Sequence, residues 1–352
     1  MNGRESVASS YGNDDLTVVI PHYGSYDLLR RCLADLSQSR VPTIVVEDGC
    51  YEKAIRDDFP DVKFVTLSRN SGFAAACNRG LAEVDTACVA FLNNDVFVTA
   101  NWQTPLLEAL ARDEGVAVCQ PKLLSAKNAG YFDYAGAAGG LMDRYAYPFC
   151  RGRIFDEIER DVGQYDSPRE IFWASGAAFV ARTRDVRGVG GFDEHLFAFH
   201  EELDLCWRLR LRRLKVGFAS DVFVRHAFSA SLGALSVGKV YYSHRNYLRA
   251  MLRNYSMPTL IWALPAYGMW SLVKIVGALV VERSLALAAG VVRALGWNAL
   301  MLRDTLRTRR AIQAGRVVDD RTIRREMGPR GFESRESLRR RWAIAHARMT
   351  KR

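Results

Sequence analysis

Ala87–Val96, ACVAFLNNDV, decides the fold. Its first six residues are apolar without alternation, the pattern of a strand buried on both faces, and the run stops at Asn93-Asn94-Asp95. The same kind of run recurs at Leu16–Pro21 (LTVVIP), Thr43–Glu47 (TIVVE), Val62–Leu67 (VKFVTL) and Val116–Gln120. Helical patterns lie between them. Tyr26–Ser37 places Leu28, Leu29, Cys32, Leu33 and Leu36 on one stripe, and Ser71–Val84 is Ala-rich with Ser71 as its expected N-cap. Apolar strands separated by helices predict an α/β unit with a mainly parallel sheet covered on both faces. Ligands of such sheets bind beyond the carboxyl ends of the strands. The residues in that position are Pro21-His22-Tyr23, Glu47-Asp48-Gly49, Ser68-Arg69-Asn70 and Asn93-Asn94-Asp95.

The chain of 352 residues has 49% hydrophobic and 25% charged residues, which excludes disordered, collagenous and coiled-coil classes. Its net charge of +10 is concentrated: Arg303–Arg352 holds 16 basic and 6 acidic residues, so the rest balances to zero. Seven cysteines, an odd number without a CxxC pair, predict a reducing compartment and no zinc knuckle. The polar N-terminus, MNGRESVASSYGNDD, carries no apolar signal-like core; residues 1–14 are expected to be disordered and the protein cytoplasmic.

No glycine-rich phosphate loop follows the first strand. The stretch Gly233–Val240 has GxxxxGK spacing, but Val240 stands where a magnesium-binding hydroxyl is needed. A cation at Asp95 could instead bridge a diphosphate, although Asn-Asn-Asp is also ordinary turn chemistry. Phe199–Arg210, FHEELDLCWRLR, opens an amphipathic helix with Glu201 and Glu202, and Asp204 can pair with Arg208. It is not a zinc HExxH motif, because Asp204 replaces the second histidine. Capping alone would also explain these acids. His226 closes a short strand-like piece, where a structural role is equally open.

Taken in order, the ED pair, RNxGFxxAxNxG, NND, WASGA, GGFDE with EELDLCWR, and His226 resemble an inverting glycosyltransferase of family 2 from about Leu16 to Ser231. YAGAAGGLMDRYAYPFCRG and RNYLRAMLRNYS further resemble bacterial rhamnosyltransferase-type members. The resemblance implies a GT-A, Rossmann-like fold over residues 15–235 and a bound Mg²⁺ or Mn²⁺. It places the donor nucleotide against Pro21, His22, Tyr23, Glu47 and Asp48, with Asn70, Gly72, Phe73 and Asn78 packed nearby. Which of Glu47 and Asp48 meets the base stays open. Asn93, Asn94 and Asp95 occupy the family's DxD position, with Asp95 and His226 as metal ligands. Glu202, beside Glu201, matches the catalytic base, and Trp173, Ser175 and Gly176 match the acceptor-side wall. Tyr145 and Tyr147 could stack on sugar or simply pack.

The implied reaction moves a sugar, L-rhamnose among the candidates, from a nucleotide-diphosphate sugar to a glycan or lipid-linked acceptor in polysaccharide or cell-wall assembly. A sugar-phosphate nucleotidyltransferase, which releases pyrophosphate, and a membrane-bound scaffold with a degenerate site are the alternatives. Residues 236–302 are expected to be helical and apolar, followed by the basic tail 303–352. Met257–Val273 is 17 residues without a charge before Lys274, short of the ~20 that span a bilayer. With basic residues on both flanks, a hairpin or helix pair lying on the cytoplasmic face of an anionic membrane is expected; a soluble lid or dimer face is the alternative. Nucleic acid is not expected as a partner, since the arginines of the tail lack a recognised binding fold.

Overall fold

The computed structural model describes residues 11–154, 157–167, 169–227 and 236–327. Most of the expected disordered N-terminus, Gly233 and the tail beyond residue 327 lie outside the described residues. Strands β1 (Leu16–His22), β2 (Thr43–Asp48), β3 (Lys63–Leu67) and β4 (Cys88–Leu92) alternate with helices α1 (Tyr26–Ser37), α2 (Lys53–Asp58) and α3 (Phe73–Leu81). All four pair in parallel, in the order β4-β1-β2-β3. The unbroken apolar runs follow from two cores, one on each face. Val19, Val46 and Phe91 join Ala74 and Cys77 of α3 in one, while Val18, Ile20 and Ala90 join Leu29 and Leu33 of α1 in the other.

The chain continues through β5 (Val96–Phe97), α4 (Thr104–Arg112) and β6 (Val116–Ser125). Two small ribbons follow, β7 (Gly140–Met142) with β8 (Pro148–Cys150), and β9 (Arg153–Ile154) with β10 (Glu157–Ile158). Then come β11 (Arg169–Ile171), β12 (Ala178–Arg182), α5 (Thr183–Gly188), α6 (Glu201–Leu211) and β13 (Lys215–His226). Strand β12 lies antiparallel between β4 and β6, so this half of the sheet is mixed. The apolar run Ile171–Val180 is therefore two strand pieces joined by a turn. The strand-like piece that His226 closes belongs to a longer strand, β13, which has a register shift between Ala219 and Phe223.

Helix α3 begins at Phe73, and Gly72, not Ser71, occupies its N-cap position with φ +92°. The side chain that would have made Ser71 a cap is superseded by Asp48, which accepts the N–H groups of Ser71 (2.6 Å) and Gly72 (2.8 Å). A Cβ at residue 72 would lie 2.5 Å from the Phe197 carbonyl oxygen, so glycine is required there.

The C-terminal region is five helices: α7 (Val237–Asn254), α8 (Met257–Val280), α9 (Leu285–Leu300), α10 (Leu302–Ala314) and α11 (Asp320–Glu326). Helix α7 packs on α6 and is covered by α9 and α10, while α8 and α9 form a hairpin. A buried ionic cluster joins them to the sheet domain: Arg249 holds Asp193 (2.6 Å) and Asp304 (2.7 Å), and Asn254 donates to Asp204 (2.8 Å).

Candidate active site

Strand ends bring the first group together. His226, at the end of β13, is in register with Val96 of β5, which sets it beside Asp95. Its Nε2 lies 3.0 Å from Asp95 Oδ1 and its Nδ1 3.0 Å from Asp133 Oδ2. Burial disfavours charge on this imidazole, but the two carboxylates outweigh it and push its pKa up to about 10. Asn93 reaches the same ring at 3.4 Å, and Asn94 reaches His22 Nδ1 at 2.8 Å. His22 is fully buried, and burial lowers its pKa to about 4, so it is a neutral support of the Asn94 turn.

The ED pair divides its labour. Glu47 is wholly buried, held by Arg56, Thr66 (3.0 Å) and Tyr26 (3.1 Å). Asp48 ties down the Ser71–Gly72 backbone, and burial raises its pKa against the pull of those two N–H groups. Asn70 also accepts from Gly72 (3.1 Å). Asn78 is turned away from this loop: it donates to the Phe192 carbonyl and accepts the Phe192 N–H, locking α3 to the GGFDE turn. Pro21 is half-buried at the end of β1, and Tyr23 is 61% exposed beyond it.

Glu202 enters from a third direction. A Cβ on Gly176 would sit 3.2 Å from the Phe73 ring and 3.8 Å from Glu202 Cδ, so all three meet. The next residue, Ala177, accepts the Asn93 N–H (2.9 Å). Gly72 and Phe73, in turn, rest on Phe197, whose carbonyl accepts the Phe73 N–H (2.8 Å). The donor block, the acidic helix start and the NND turn thus share one continuous set of contacts. Glu202 is half-buried; burial raises its pKa to about 7 while the backbone N–H groups of Glu202 and Gly176 oppose the rise. Glu201 is buried with Oε2 lacking a hydrogen-bond partner, and burial with the adjacent Glu202 charge raises its pKa well above the usual range.

On the expected acceptor side, Trp173 is 9% exposed, donates to the Leu141 carbonyl (2.9 Å) and lies flat on Gly140. Ser175 is buried between Gln120 and Ala135. Of this trio only Gly176 borders Glu202. Tyr145 and Tyr147 pack edge-on to Trp262 and Trp270 of α8. An open cleft of about 740 Å³ is lined by Arg69, Asn70, Ser71, Asn78, Arg79 and Glu194; it flanks the Ser71 loop and does not include Asp95, His226 or Glu202. The motif residues, not that cleft, define the site.

Sequence reading missed Asp133, which sits in a Gly- and Tyr-rich stretch without periodicity. It also missed the contribution of Arg245 and Asn246, inside RNYLRAMLRNYS, whose contacts reach back to residues 195–199. Among the described residues, no group of three or more His, Cys, Asp and Glu has its ligating atoms gathered for a metal ion. Asp95 Oδ1 and His226 Nε2 are hydrogen-bonded at 3.0 Å, so a divalent cation would have to displace the Nε2 proton, after which the two could stand as adjacent ligands on an octahedral ion with ~2.1 Å bonds. Asp133 on the far ring nitrogen is the partner that a ligating imidazole usually has. The donor set therefore fits a hard divalent cation that takes its remaining ligands from substrate and water.

Residues 17–155 match the family model described as glycosyl transferase family 2. A pre-mycofactocin glycosyltransferase of Mycobacterium tuberculosis is 31% identical over 236 residues, covering 65% of this chain and 46% of that protein. The chain thus spans about half the length of that relative. An N-acetylglucosaminyl-diphospho-decaprenol L-rhamnosyltransferase of the same organism is 26% identical over 66% of this chain and 80% of its own length. Among solved structures, residues 1–349 of S. aureus TarS superpose with TM-score 0.53 at 14% identity, covering 80% of this chain and 79% of that one. GalNAc-T7 with UDP, GalNAc and Mn²⁺ superposes with TM-score 0.51 at 14% identity, covering 68% and 47%. The strand order agrees with these likenesses: residues 17–155 are similar to glycosyl transferase family 2, and the chain shares the fold of TarS and GalNAc-T7.

Proposed function

We propose that the protein is an inverting glycosyltransferase that moves a hexose from a nucleotide-diphosphate sugar to a glycan or lipid-linked acceptor, with L-rhamnose as the first sugar to test. The observation that carries this is the convergence of a half-buried carboxylate, Glu202, with the Gly72–Phe73 donor block and the Asn93–Asp95 turn through Gly176 and Ala177. Inversion needs one base opposite the leaving group and no covalent nucleophile. Glu202, with its pKa raised to about 7, is a stronger base than an ordinary carboxylate and is still ionised in part at neutral pH. It takes the proton from the acceptor hydroxyl as the sugar–oxygen bond forms.

Asp95 and His226 would hold Mg²⁺ or Mn²⁺, which supplies neutralisation of the diphosphate as it departs. Mn²⁺ and UDP accompany the GalNAc-T7 relative, which supports a divalent metal in general. With Glu47 enclosed by Arg56, Thr66 and Tyr26, Asp48 is the acid left on the donor side, holding the Ser71–Gly72 loop. Gly176 leaves room for the acceptor beside Glu202.

The α8–α9 hairpin we read as the surface that rests on the cytoplasmic leaflet. Helix α8 runs 24 residues, and an 18-residue stretch of it has mean hydropathy 1.5 with only 22% of that stretch buried. Ile261, Met269, Val273 and Val280 are each more than 60% exposed, as is Leu285 on α9. Lys274, Arg283, Arg293 and Arg303 are exposed around them, in keeping with an anionic surface.

The experiment is a nucleotide-sugar panel with Mn²⁺ or Mg²⁺, read by thermal stabilisation and by the nucleotide released. A donor at 100 times its Kd raises stability by ~2.7 kcal/mol. Release of a nucleoside diphosphate supports the proposal. Release of pyrophosphate makes the chain a nucleotidyltransferase, and binding without turnover of any donor makes it a scaffold.

A further inference from the structure

We propose that Arg245 and Asn246 of α7 are positioning residues for the transfer: they clamp the left-handed turn that ends in Glu201-Glu202, and so make the C-terminal helices part of the catalytic unit. The inference rests on Glu202 being the base. Phe197, Phe199 and His200 all have positive φ, at 61°, 70° and 69°. Residues with side chains hold such angles only where the surroundings enforce them. His200 is the residue from which α6 starts, and its side chain makes no capping bond. The helix start must therefore be held from outside.

Asn246 does this from α7. It is fully buried, and its Nδ2 lies 2.7 Å from the carbonyl oxygens of Leu196, Ala198 and Phe199, its two N–H groups shared among the three acceptors. Arg245 Nη2 donates to the carbonyls of His195 (2.7 Å) and Leu196 (2.6 Å). Arg245 Nε also donates to Asn246 Oδ1 (2.9 Å), which fixes the amide with its NH₂ toward the turn. The Arg245 carbonyl in turn accepts from Asn298 of α9 (3.0 Å). On the opposite side, the Phe197 carbonyl accepts the Phe73 N–H and Gly72 leaves no gap. The turn is thus gripped between the donor block and α7. Removing the Asn246 amide strands buried carbonyls, which relax toward water and carry the start of α6 with them. A displacement of ~1 Å at a catalytic group can cost about 10²-fold in rate.

The test uses the full chain with Asn246→Ala, the milder Arg245→Lys, and Glu202→Gln as reference, assayed with whichever nucleotide sugar turns over. We expect kcat to fall ~10- to 10²-fold in Asn246→Ala and less in Arg245→Lys. Affinity for UDP with Mn²⁺ should fall less than kcat, because Asp95, His226 and the Asp48 bonds to the Ser71 loop are not contacted by Asn246 or Arg245, and only the Phe197 contact links them to the turn. The acid limb of the kcat–pH profile should move down as water reaches Glu202. Normal kcat and an unmoved acid limb in Asn246→Ala overturn the proposal. If Asn246→Ala no longer folds, Arg245→Lys decides by the same readouts, and a parallel loss of UDP affinity and kcat there overturns it too. An active Glu202→Gln instead removes the base assignment on which the proposal rests. An inactive Glu202→Gln with unaffected α7 variants removes the clamp alone.

Discussion

Glu201 and Glu202 are neighbours in sequence with different surroundings, and the difference favours Glu202 as the proposed base. Successive helix residues point ~100° apart. Glu202 turns to Gly176, where a hydroxyl can reach it, while Glu201 is buried. Glu202→Gln keeps the shape and removes basicity, so kcat should fall ~10²–10⁴-fold with UDP–Mn²⁺ affinity unchanged by calorimetry. Glu201→Gln should do far less; the reverse ranking would move the assignment by one residue. The base must be ionised, so wild-type kcat should climb with pH and level off above about 7. The linkage sign is opposite for stability. A carboxyl whose pKa is raised by folding stabilises most below its unfolded value and loses that contribution as pH rises to about 7, so Glu202→Gln should gain on wild type in melts at pH 8 relative to pH 5. Asp133→Asn tests the imidazole support: Mn²⁺ affinity, read by electron paramagnetic resonance, should drop ~10- to 10²-fold if His226 ligates. Asp95, His226 and Glu202 stand out as candidates in the sequence because each sits at a strand end or helix start with suitable chemistry. Asp133 was not, because a loop return places it and no periodicity announces one.

At the level of elements, the sheet was legible wherever both faces were buried. β1 and β4 read as unbroken apolar runs because alternate residues feed two different cores. The start of α3 was misread at Ser71, since the deciding contact comes from Phe197, more than a hundred residues away, and from Asp48. Gly72→Ala tests this directly. The backbone there has φ +92°, and the new methyl would meet Phe197 backbone atoms at 2.5–2.8 Å. A loss of ~2–4 kcal/mol is expected in denaturant melts, with donor binding weakened as well. Gly268→Ala is the contrast: it is exposed on α8 with nothing within 4 Å of a Cβ, so it should be neutral or stabilise by up to ~1 kcal/mol. Equal effects at the two positions would mean that Phe197 does not constrain the α3 start. The helix opened by Phe199–Arg210 is expected to be amphipathic, yet nearly every residue of α6 is buried, because α7 covers the side that a two-layer unit would leave wet.

At the scale of the whole molecule, the sequence divides where the structure joins. The polar and apolar halves differ in composition, but Arg249, Arg253 and Asn254 of α7 reach Asp193 and Asp204, acids that belong to the GGFDE and EELDLCWR motifs. Removing everything after residue 256 would therefore strip the helices covering α7 as well as any lipid contact, and could not separate the two. Point changes can. Leu272 and Val276 are 54% and 49% exposed on α8, away from Tyr267, whose hydroxyl donates to the His244 carbonyl of α7. Burying such side chains in an apolar phase is worth ~1.5–3 kcal/mol each. The double change Leu272→Glu with Val276→Glu should therefore lower co-sedimentation with vesicles of mixed neutral and anionic lipid by at least ~10²-fold. Transfer to a water-soluble acceptor should stay near the wild-type rate, because neither residue touches the turn at Phe197–His200. High salt should release the wild type only in part, since it screens the arginines and lysine without weakening apolar burial. Equal pelleting of the double variant and the wild type would remove the membrane reading. If the wild type is a dimer that the double change dissociates, while vesicle binding is weak in both, the hairpin is a face between two copies of the chain.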